Sequence, residues 1–242
     1  MPEADEQHKA ELATRVQQVV QRVRAAEKHF GRETGSVQIL PVSKTRPSED
    51  IEQVARIGFS DFGESYAQEA QEKISALANL QLHWHFIGPI QSNKTHTIAN
   101  LFHWVHSVDR EKIAQRLNDQ RPEGLPPLNI CLQVNISGET SKSGIQPSAL
   151  PELASTITGL PRLRLRGLMA IPAPNTDFEK QRQAFKVTYE IFDSLKTEIS
   201  ATGIKLDTLS MGMSNDLEAA IAEGSTLVRI GTDIFGPRNA SS

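Results

Sequence analysis

The sequence has few of the features of a secreted, membrane or nucleic-acid-binding protein. It contains a single cysteine, Cys131, which excludes an intramolecular disulfide and indicates a reducing compartment. No stretch approaches the roughly 18 apolar residues of a membrane span, and the polar first residues do not form a secretory signal. The net charge of -3 comes from interspersed acids and bases, which leaves no basic face for nucleic acid. We therefore expect a cytoplasmic protein that binds neither membranes nor nucleic acid.

Motifs for nucleotide and metal chemistry are missing as well. Neither G-x-x-x-x-G-K-[ST] nor G-x-G-x-x-G occurs, so no motif supports ATP or NAD binding. His83 and His85 flank Trp84, but no third ligand stands at a spacing that suits a metal, and we interpret them as core or hydrogen-bonding histidines. Four acids near predicted strand ends would suit a glycosidase pair, although helix capping explains them well enough. These acids are Asp61, Glu64, Asp109 and Asp233.

The sequence does contain a regular alternation of short apolar runs with amphipathic helical patterns. An opening helix is predicted from Glu6 to Phe30, because its apolar residues recur at spacings of three and four. The apolar runs are Val37–Val42, Gly58–Phe62, Leu82–Ile87, Phe102–Ser107, Leu128–Val134, Leu163–Met169, Lys205–Leu209 and Thr226–Ile230. The helical patterns between them are Ser48–Arg56, Ser65–Leu77, Arg110–Asp119, Ser148–Thr158, Phe178–Ser200 and Asn215–Ala222.

Strands that alternate with helices indicate an α/β protein built from parallel βαβ units. Eight units in 242 residues favour a single (β/α)8 TIM-type barrel with an extra N-terminal helix over an open sheet. The predicted organisation is one domain over residues 1–242, with the helix at about 1–35 and the barrel at 36–238. Ser48 and Ser214 are placed to cap helices, and Gly58 and Gly224 lie just past their ends. The connection after Ile87 is the least clearly helical.

Lys44 is the first polar residue of interest, because active sites of such barrels lie at the carboxyl ends of the strands. Counting by twos along the first run places it on one face with Leu40 and Val42, pointing inward at the barrel mouth. A partly desolvated lysine amine can act as a nucleophile and condense with an aldehyde. Alternatively, the side chain simply reaches solvent past the strand, which the residues alone favour.

The last strand ends in residues that suit an anion. Arg229 faces inward with Leu227, and Gly231 and Thr232 follow, where many barrels bind phosphate through backbone N–H groups and a hydroxyl. Ser214, at the start of a predicted helix, offers a further hydroxyl to the same anion. A lysine, an arginine and two phosphate donors thus converge on one mouth, although each feature alone is weak, since a Ser at a helix start and a Gly after a strand are usually only structural.

Several segments resemble those of the pyridoxal phosphate homeostasis protein family. They are Val42-Ser43-Lys44-Thr45, Phe62-Gly63-Glu64-Ser65-Tyr66, His85-Phe86-Ile87-Gly88, Gln91-Ser92-Asn93-Lys94, Gln133-Val134-Asn135, Gly167-Leu168-Met169-Ala170 and the stretch from Leu209 to Thr232. The resemblance implies a fold-type III barrel like the N-terminal domain of alanine racemase, with pyridoxal 5′-phosphate (PLP) bound to Lys44 as an aldimine. It further implies that Arg229 faces the pyridine nitrogen and that Ser214, Gly231 and Thr232 hold the phosphate. The family commonly has Asn in place of Ser65, which leaves a cofactor contact from Ser65 in doubt.

These implied roles favour a carrier of PLP over an enzyme. A guanidinium at the pyridine nitrogen cannot protonate it, so the cofactor is a weak electron sink. Racemases of this fold take a tyrosine base from a further domain, whereas here the chain ends soon after the eighth strand, and only Tyr66 and Tyr189 are present. We expect a monomeric protein of intracellular PLP homeostasis without dedicated turnover, which delivers PLP to apo-enzymes. The alternatives are a weak amino-acid racemase and a regulatory protein whose partner responds to PLP.

Overall fold

Eight parallel strands form one sheet that curls into a barrel. The structure is a computed structural model that describes residues 2–137, 143–200 and 203–237. The strands are β1 (Gln38–Pro41), β2 (Asp61–Glu64), β3 (His83–Phe86), β4 (Trp104–Val108), β5 (Leu128–Val134), β6 (Leu163–Ala170), β7 (Thr208–Ser210) and β8 (Leu227–Ile230). Their order is β1-β8-β7-β6-β5-β4-β3-β2. A parallel bridge between Val42 and Gly63, beside a 2.9 Å bond from Ser43 N–H to the Gly63 carbonyl, joins the two sheet edges. The predicted (β/α)8 barrel is confirmed.

Helices surround the sheet. They are α1 (Pro2–His29), α2 (Ser48–Arg56), α3 (Ala67–Ala76), α4 (Thr95–Leu101), α5 (Glu111–Gln120), α6 (Leu150–Thr158), α7 (Phe178–Glu198), α8 (Leu217–Ala222) and α9 (Thr232–Phe235). The uncertain connection after Ile87 contains a one-turn 3-10 helix and then α4. None of the helices in the described ranges is long and apolar enough to cross a bilayer. The one-domain division stays a prediction, and its barrel boundary at residue 238 lies outside the described residues.

Several local predictions were wrong. The seventh strand starts at Thr208, three residues after the predicted Lys205. The second strand starts at Asp61, three residues later than expected, because Gly58 forms a turn with a φ of 111°. Ser48 is the first residue of α2, since Pro47 already occupies the extended N-cap position. Ser214 precedes α8, whose N-cap is Asp216, and the Asp216 carboxylate accepts a 2.6 Å bond from Met213 N–H. Neither serine caps its helix.

The main apolar core lies between the outer face of the sheet and the helices. On α1 the predicted stripe is buried, with Leu12, Val16, Val19 and Val23 each at most 2% exposed. This stripe packs against α2, α8 and α9, and burying a side chain of this size stabilises the fold by about 1.5–3 kcal/mol. The opening helix is therefore an integral part of the barrel wall beside β8 and β1.

The barrel interior forms a second, more polar layer. Strand residues alternate between the two faces, so Trp84 and Phe86 pack outward while His85 points inward. Five buried apolar residues are not part of the outer core and fill the interior: Leu40, Val42, Cys131, Met169 and Leu227. Buried polar side chains occupy the rest of it, and they determine the chemistry of the mouth.

Candidate functional site

Lys44 lies in a turn just past β1, at the carboxyl end of the barrel, and is half-buried. The turn is fixed on both sides of it. Ser43 donates a hydrogen bond from its hydroxyl to Glu64 at 2.7 Å, and Thr45 N–H donates to Glu69 at 2.5 Å. Thr45 has a φ of 63°, a conformation that is uncommon for a residue other than glycine. The neighbouring residues therefore hold the backbone of Lys44 in one defined turn.

A buried ion-pair cluster supports this turn from α3. Lys73 is 6% exposed, and its amine donates to the Ser43 carbonyl at 2.7 Å, to Glu64 at 2.8 Å and to Glu69 at 2.5 Å. Burial raises the pKa of Glu64, and its Oε2 atom makes no hydrogen bond with the described residues. Glu64 was interpreted as a cap, but it instead binds both Lys73 and Ser43. No pattern in the sequence singled out Lys73.

Arg229 lies inside the barrel, on β8, opposite Leu40 of β1 in the parallel register. It is 4% exposed. One guanidinium nitrogen donates to the carbonyl and hydroxyl of Ser210 at 2.7 and 2.8 Å, and the other donates to the Ala170 carbonyl at 3.0 Å. Burial lowers the pKa of Arg229 to about 10, so it stays charged at neutral pH. No carboxylate in the described ranges forms an ion pair with Arg229. Its guanidinium therefore suits a ligand atom that accepts a hydrogen bond through a lone pair.

The residues expected at the phosphate come together above β7 and β8. The Ser214 hydroxyl accepts a hydrogen bond from Asp233 N–H at 3.4 Å, which places it against the first turn of α9. Gly231 is the N-cap of α9, and Thr232, the first helical residue, is exposed. A Cβ on Gly231 would lie 3.4 Å from the Val42 carbonyl, so Gly231 also adjoins the segment that leads to Lys44. The structure thus groups Ser214, Gly231 and Thr232 beside the end of β1.

Arg22 of α1 ties this group together. Its guanidinium donates to both carboxylate oxygens of Glu218 at 2.9 Å, to Asp233 at 2.5 Å and to the Ser214 carbonyl at 3.1 Å. The bonds to Glu218 raise the pKa of Arg22, and its fork geometry suits paired carboxylates. Asp233 was interpreted as a cap, whereas it pairs with an arginine of the opening helix. The helix therefore contacts the loop that carries Ser214.

A cleft of about 1280 Å³ lies beside Ser214 at this end of the barrel. Ser214, Asp216 and Gln133 border it, whereas Lys44 and Arg229 do not. Across the mouth, Ser65 follows β2 and is 9% exposed, and its backbone packs so closely on Gly88 that a Cβ there would lie 2.2 Å from the Ser65 carbonyl. Tyr66 is 54% exposed at the same end of the barrel. A cofactor contact from Ser65 stays a prediction.

Two buried histidines, His85 and His106, belong to a hydrogen-bonded network inside the barrel, and sequence reasoning singled out the first but not the second. His85 contacts Asp61 at 2.9 Å and His106 at 3.0 Å, and His106 contacts the Ser210 hydroxyl at 2.9 Å. The hydrogen-bonding interpretation of His85 is confirmed, whereas His83 is exposed at the start of β3. No group of three His, Cys, Asp or Glu in the described ranges could hold a metal. Ser210 had a sequence signal, because it stands between the apolar residues Leu209 and Met211, whereas His106 is followed by Ser107 and had none.

The chain is similar to known proteins over nearly its whole length. Residues 14–239 match the sequence family described as alanine racemase, N-terminal domain. The pyridoxal phosphate homeostasis protein of Pseudomonas aeruginosa is 55% identical over 94% of this chain and 96% of its own length. PipY of Synechococcus elongatus, solved with PLP bound, superposes with a TM-score of 0.77 at 32% identity, covering 88% of this chain and 100% of PipY.

Alanine racemase of Clostridium difficile also superposes, with a TM-score of 0.68 over 92% of this chain and 57% of the racemase. At 14% identity this likeness concerns the fold alone. The Pseudomonas aeruginosa protein and PipY, in contrast, are similar to this chain in sequence over 94% and 88% of its length. The chain belongs to the family of pyridoxal phosphate homeostasis proteins and has the fold of the alanine racemase N-terminal domain.

Proposed function

We propose that this chain binds PLP covalently through Lys44 and serves as a carrier in PLP homeostasis, delivering the cofactor to apo-enzymes. The observation that supports this most directly is a grouping at one end of the barrel: the lysine of a defined turn, a buried arginine that pairs with no carboxylate among the described residues, and a cluster of hydrogen-bond donors for a phosphate. PipY, a solved relative with PLP bound, has the same fold at 32% identity.

The residues of the mouth fit the three functional groups of PLP. Lys44 would hold PLP covalently through its amine, a condensation with the aldehyde that releases water. Arg229 would donate a hydrogen bond to the pyridine nitrogen. The phosphate would be held by the hydroxyls of Ser214 and Thr232 and by the N–H groups of Gly231 and Thr232, because the first N–H groups of a helix such as α9 have no partner within it.

The same residues argue for holding the cofactor instead of turning over a substrate. When bound, PLP supplies an electron sink, and this sink is weak while the pyridine nitrogen only accepts a hydrogen bond from Arg229. Racemisation also needs a second base on the opposite face of the cofactor. Of the two tyrosines, Tyr189 packs outside the barrel against Gly224, and Tyr66 is 54% exposed. The cleft beside Ser214 lies at the same end of the barrel, which suits release to another protein.

The first experiment is an absorbance spectrum of the protein incubated with PLP, followed by borohydride reduction and peptide mapping. Reduction converts the C=N bond to a stable amine and marks the lysine that carries the cofactor. We expect a visible band, and label on the peptide that contains Lys44. The Lys44→Ala variant should lose both, and Lys112→Ala, which changes an exposed lysine of α5, should keep both.

Carrier and enzyme are distinguished with the loaded protein. We expect it to reactivate an apo PLP enzyme in the presence of a phosphatase that destroys free PLP, and to exchange no α-hydrogen of an amino acid at an enzymatic rate. Exchange at such a rate would favour the racemase instead. A protein that stays colourless with PLP would refute the proposal as a whole. Sedimentation analysis of the purified protein tests the expected monomer.

A further inference from the structure

A continuous chain of hydrogen bonds crosses the barrel interior from its amino end to Arg229. Asp61, at the start of β2, lies 2.9 Å from His85 Nε2. His85 Nδ1 lies 3.0 Å from His106 Nε2, and His106 Nδ1 lies 2.9 Å from the Ser210 hydroxyl, which accepts from Arg229 at 2.8 Å. The two histidines and Ser210 are each 0% exposed. This hydrogen-bond chain takes one residue from each of five strands, and its Arg229 end lies beneath the barrel mouth.

The donor direction of this chain follows from its acidic end. The hydrogen bond from His85 lowers the pKa of Asp61 despite the opposing effect of burial, so Asp61 is an acceptor and His85 Nε2 must carry the proton. In a neutral imidazole, His85 Nδ1 is then the acceptor. His106 must donate to it from Nε2, which leaves His106 Nδ1 to accept from the Ser210 hydroxyl.

The basic end requires the same direction. The Arg229 guanidinium has only donors, so the Ser210 oxygen must accept from it, and the hydroxyl proton is free to point at His106. The Asp61 end and the Arg229 end therefore imply the same placement of protons on the two imidazoles and the Ser210 hydroxyl, and every donor in the network faces an acceptor. A chain with this consistency holds its members in one arrangement, because reversing any link would leave a buried polar group unpaired.

The surroundings disfavour an additional charge on either histidine. Burial lowers the pKa of His85 and lowers that of His106 well below its ordinary value. Arg229 lies at one end of the chain, and Arg166 stacks 4.6 Å over Trp104, whose ring lies parallel to His85. Asp61 favours a charge on His85, but burial outweighs it. A protonated His106 would be buried with the Arg229 cation on one side and His85 on the other.

We propose that Ser210, His106 and His85 are positioning residues that fix the Arg229 guanidinium for the pyridine nitrogen, with both histidines as neutral Nε2–H tautomers. The proposal rests on the proposed role of Arg229 toward the cofactor. Since no carboxylate in the part of the chain that the structure describes forms an ion pair with Arg229, the Ser210 hydroxyl and two backbone carbonyls set its direction. Of these three acceptors, only the hydroxyl connects to a network that a side-chain substitution can interrupt.

The chain is tested first without cofactor, by nitrogen NMR of the full-length protein with isotope-labelled histidine. We expect His85 and His106 each to show one protonated Nε2 and one unprotonated Nδ1 at neutral pH, with resonances assigned through His85→Asn and His106→Asn. Arg229 should show separate, slowly exchanging guanidinium N–H signals, which Ser210→Ala should broaden or merge. A charged histidine, an Nδ1–H tautomer or unchanged Arg229 signals in Ser210→Ala would overturn the proposal.

Cofactor affinity provides the second readout. Ser210→Ala and His106→Leu should bind PLP about tenfold more weakly, the effect of losing one hydrogen bond to a charged group. His106→Asn keeps an acceptor at the place of Nδ1 and should restore most of the affinity. Cys131→Ala removes an interior side chain outside the chain and should bind PLP like the unmodified protein. Urea unfolding of each variant identifies those that fail to fold. If His106→Leu does not fold, the PLP affinities of Ser210→Ala and His106→Asn still decide the question, because the first breaks the network and the second keeps an acceptor.

The two readouts separate this proposal from the proposed function. If the unmodified protein does not bind PLP but shows the expected tautomers and Arg229 signals, the function fails and the ordering of Arg229 stands. If PLP binds normally to Ser210→Ala and His106→Leu, the function stands and the positioning role is wrong.

Discussion

Replacement of Arg22 by methionine tests whether the opening helix supports the phosphate loop. The guanidinium contacts Glu218, Asp233 and the Ser214 carbonyl, and methionine keeps most of the aliphatic side chain while removing these contacts. The Arg22 side chain is 38% exposed, so solvent screens each ion pair to about 0–1 kcal/mol. For two pairs that share one fork-shaped donor, we expect a loss of about 1–2 kcal/mol in the free energy of unfolding.

The effect on the cofactor should be of similar size. Without Arg22, the Ser214 segment loses its tie to α1, and the fraction of molecules with the phosphate residues in place decreases. Apparent affinity falls with that fraction, so about 1 kcal/mol of lost order weakens PLP binding roughly fivefold. Two measurements are needed: urea unfolding of the cofactor-free protein, and a fluorescence or absorbance titration with PLP.

Arg15→Met is the matched control, because Arg15 lies on the same helix, is 35% exposed and pairs with Glu11 at 3.6 Å within α1. We expect it to lower stability by less than about 0.5 kcal/mol and to leave PLP affinity unchanged. If Arg22→Met loses stability but binds PLP as tightly as Arg15→Met, the contact between α1 and the phosphate loop is structural only, and the reasoning above is wrong.

Two further predictions concern stability. The buried Glu27 carboxylate accepts hydrogen bonds from Arg24, from Gly35 N–H and from Val37 N–H, which together outweigh burial and lower its pKa. The carboxylate therefore stabilises the fold fully above the ordinary pKa of 4.5, and this contribution is lost as the pH falls through the lowered pKa. Glu27→Gln should therefore cost about 2–3 kcal/mol in urea unfolding at pH 7, with the difference shrinking at acidic pH, and a constant difference would contradict this account. Gly167→Ala would place a Cβ 1.7 Å from a backbone oxygen of β7 and should cost more than about 3 kcal/mol or prevent folding, whereas Gly124→Ala, in open space, should be neutral in thermal unfolding.

Much of the fold was predictable because its signals are local. Short apolar runs separated by helical patterns identified eight strands, and parity placed Arg229 inside the barrel. Boundaries were less accurate where a turn residue delayed the start of a strand, as at Gly58 before β2. Caps were wrong at Ser48 and Ser214 because the N-cap positions are occupied by Pro47 and Asp216, neither of which caps its helix through a side-chain hydrogen bond.

The candidate site was predictable only in part, because its support comes from residues distant in sequence. Lys44 and the phosphate residues stand at strand ends, where position alone suggests chemistry. His106 and Ser210 lie within strands and meet only when β4 and β7 face each other across the closed barrel. Lys73 was missed for a similar reason, since its partners are on β2 and in the turn after β1.

The pairing of β1 with β8 has a consequence for the newly made protein. Leu40 neighbours Arg229 across this seam, so the amine at residue 44 and the donors up to Thr232 are brought together from positions far apart in the sequence. A ribosome-bound chain cannot assemble the pocket until β8 has emerged, and contacts of such long sequence separation form late. Capture of PLP would therefore mark the completed barrel, and by mass action the free cofactor would shift molecules with an open seam toward the closed state.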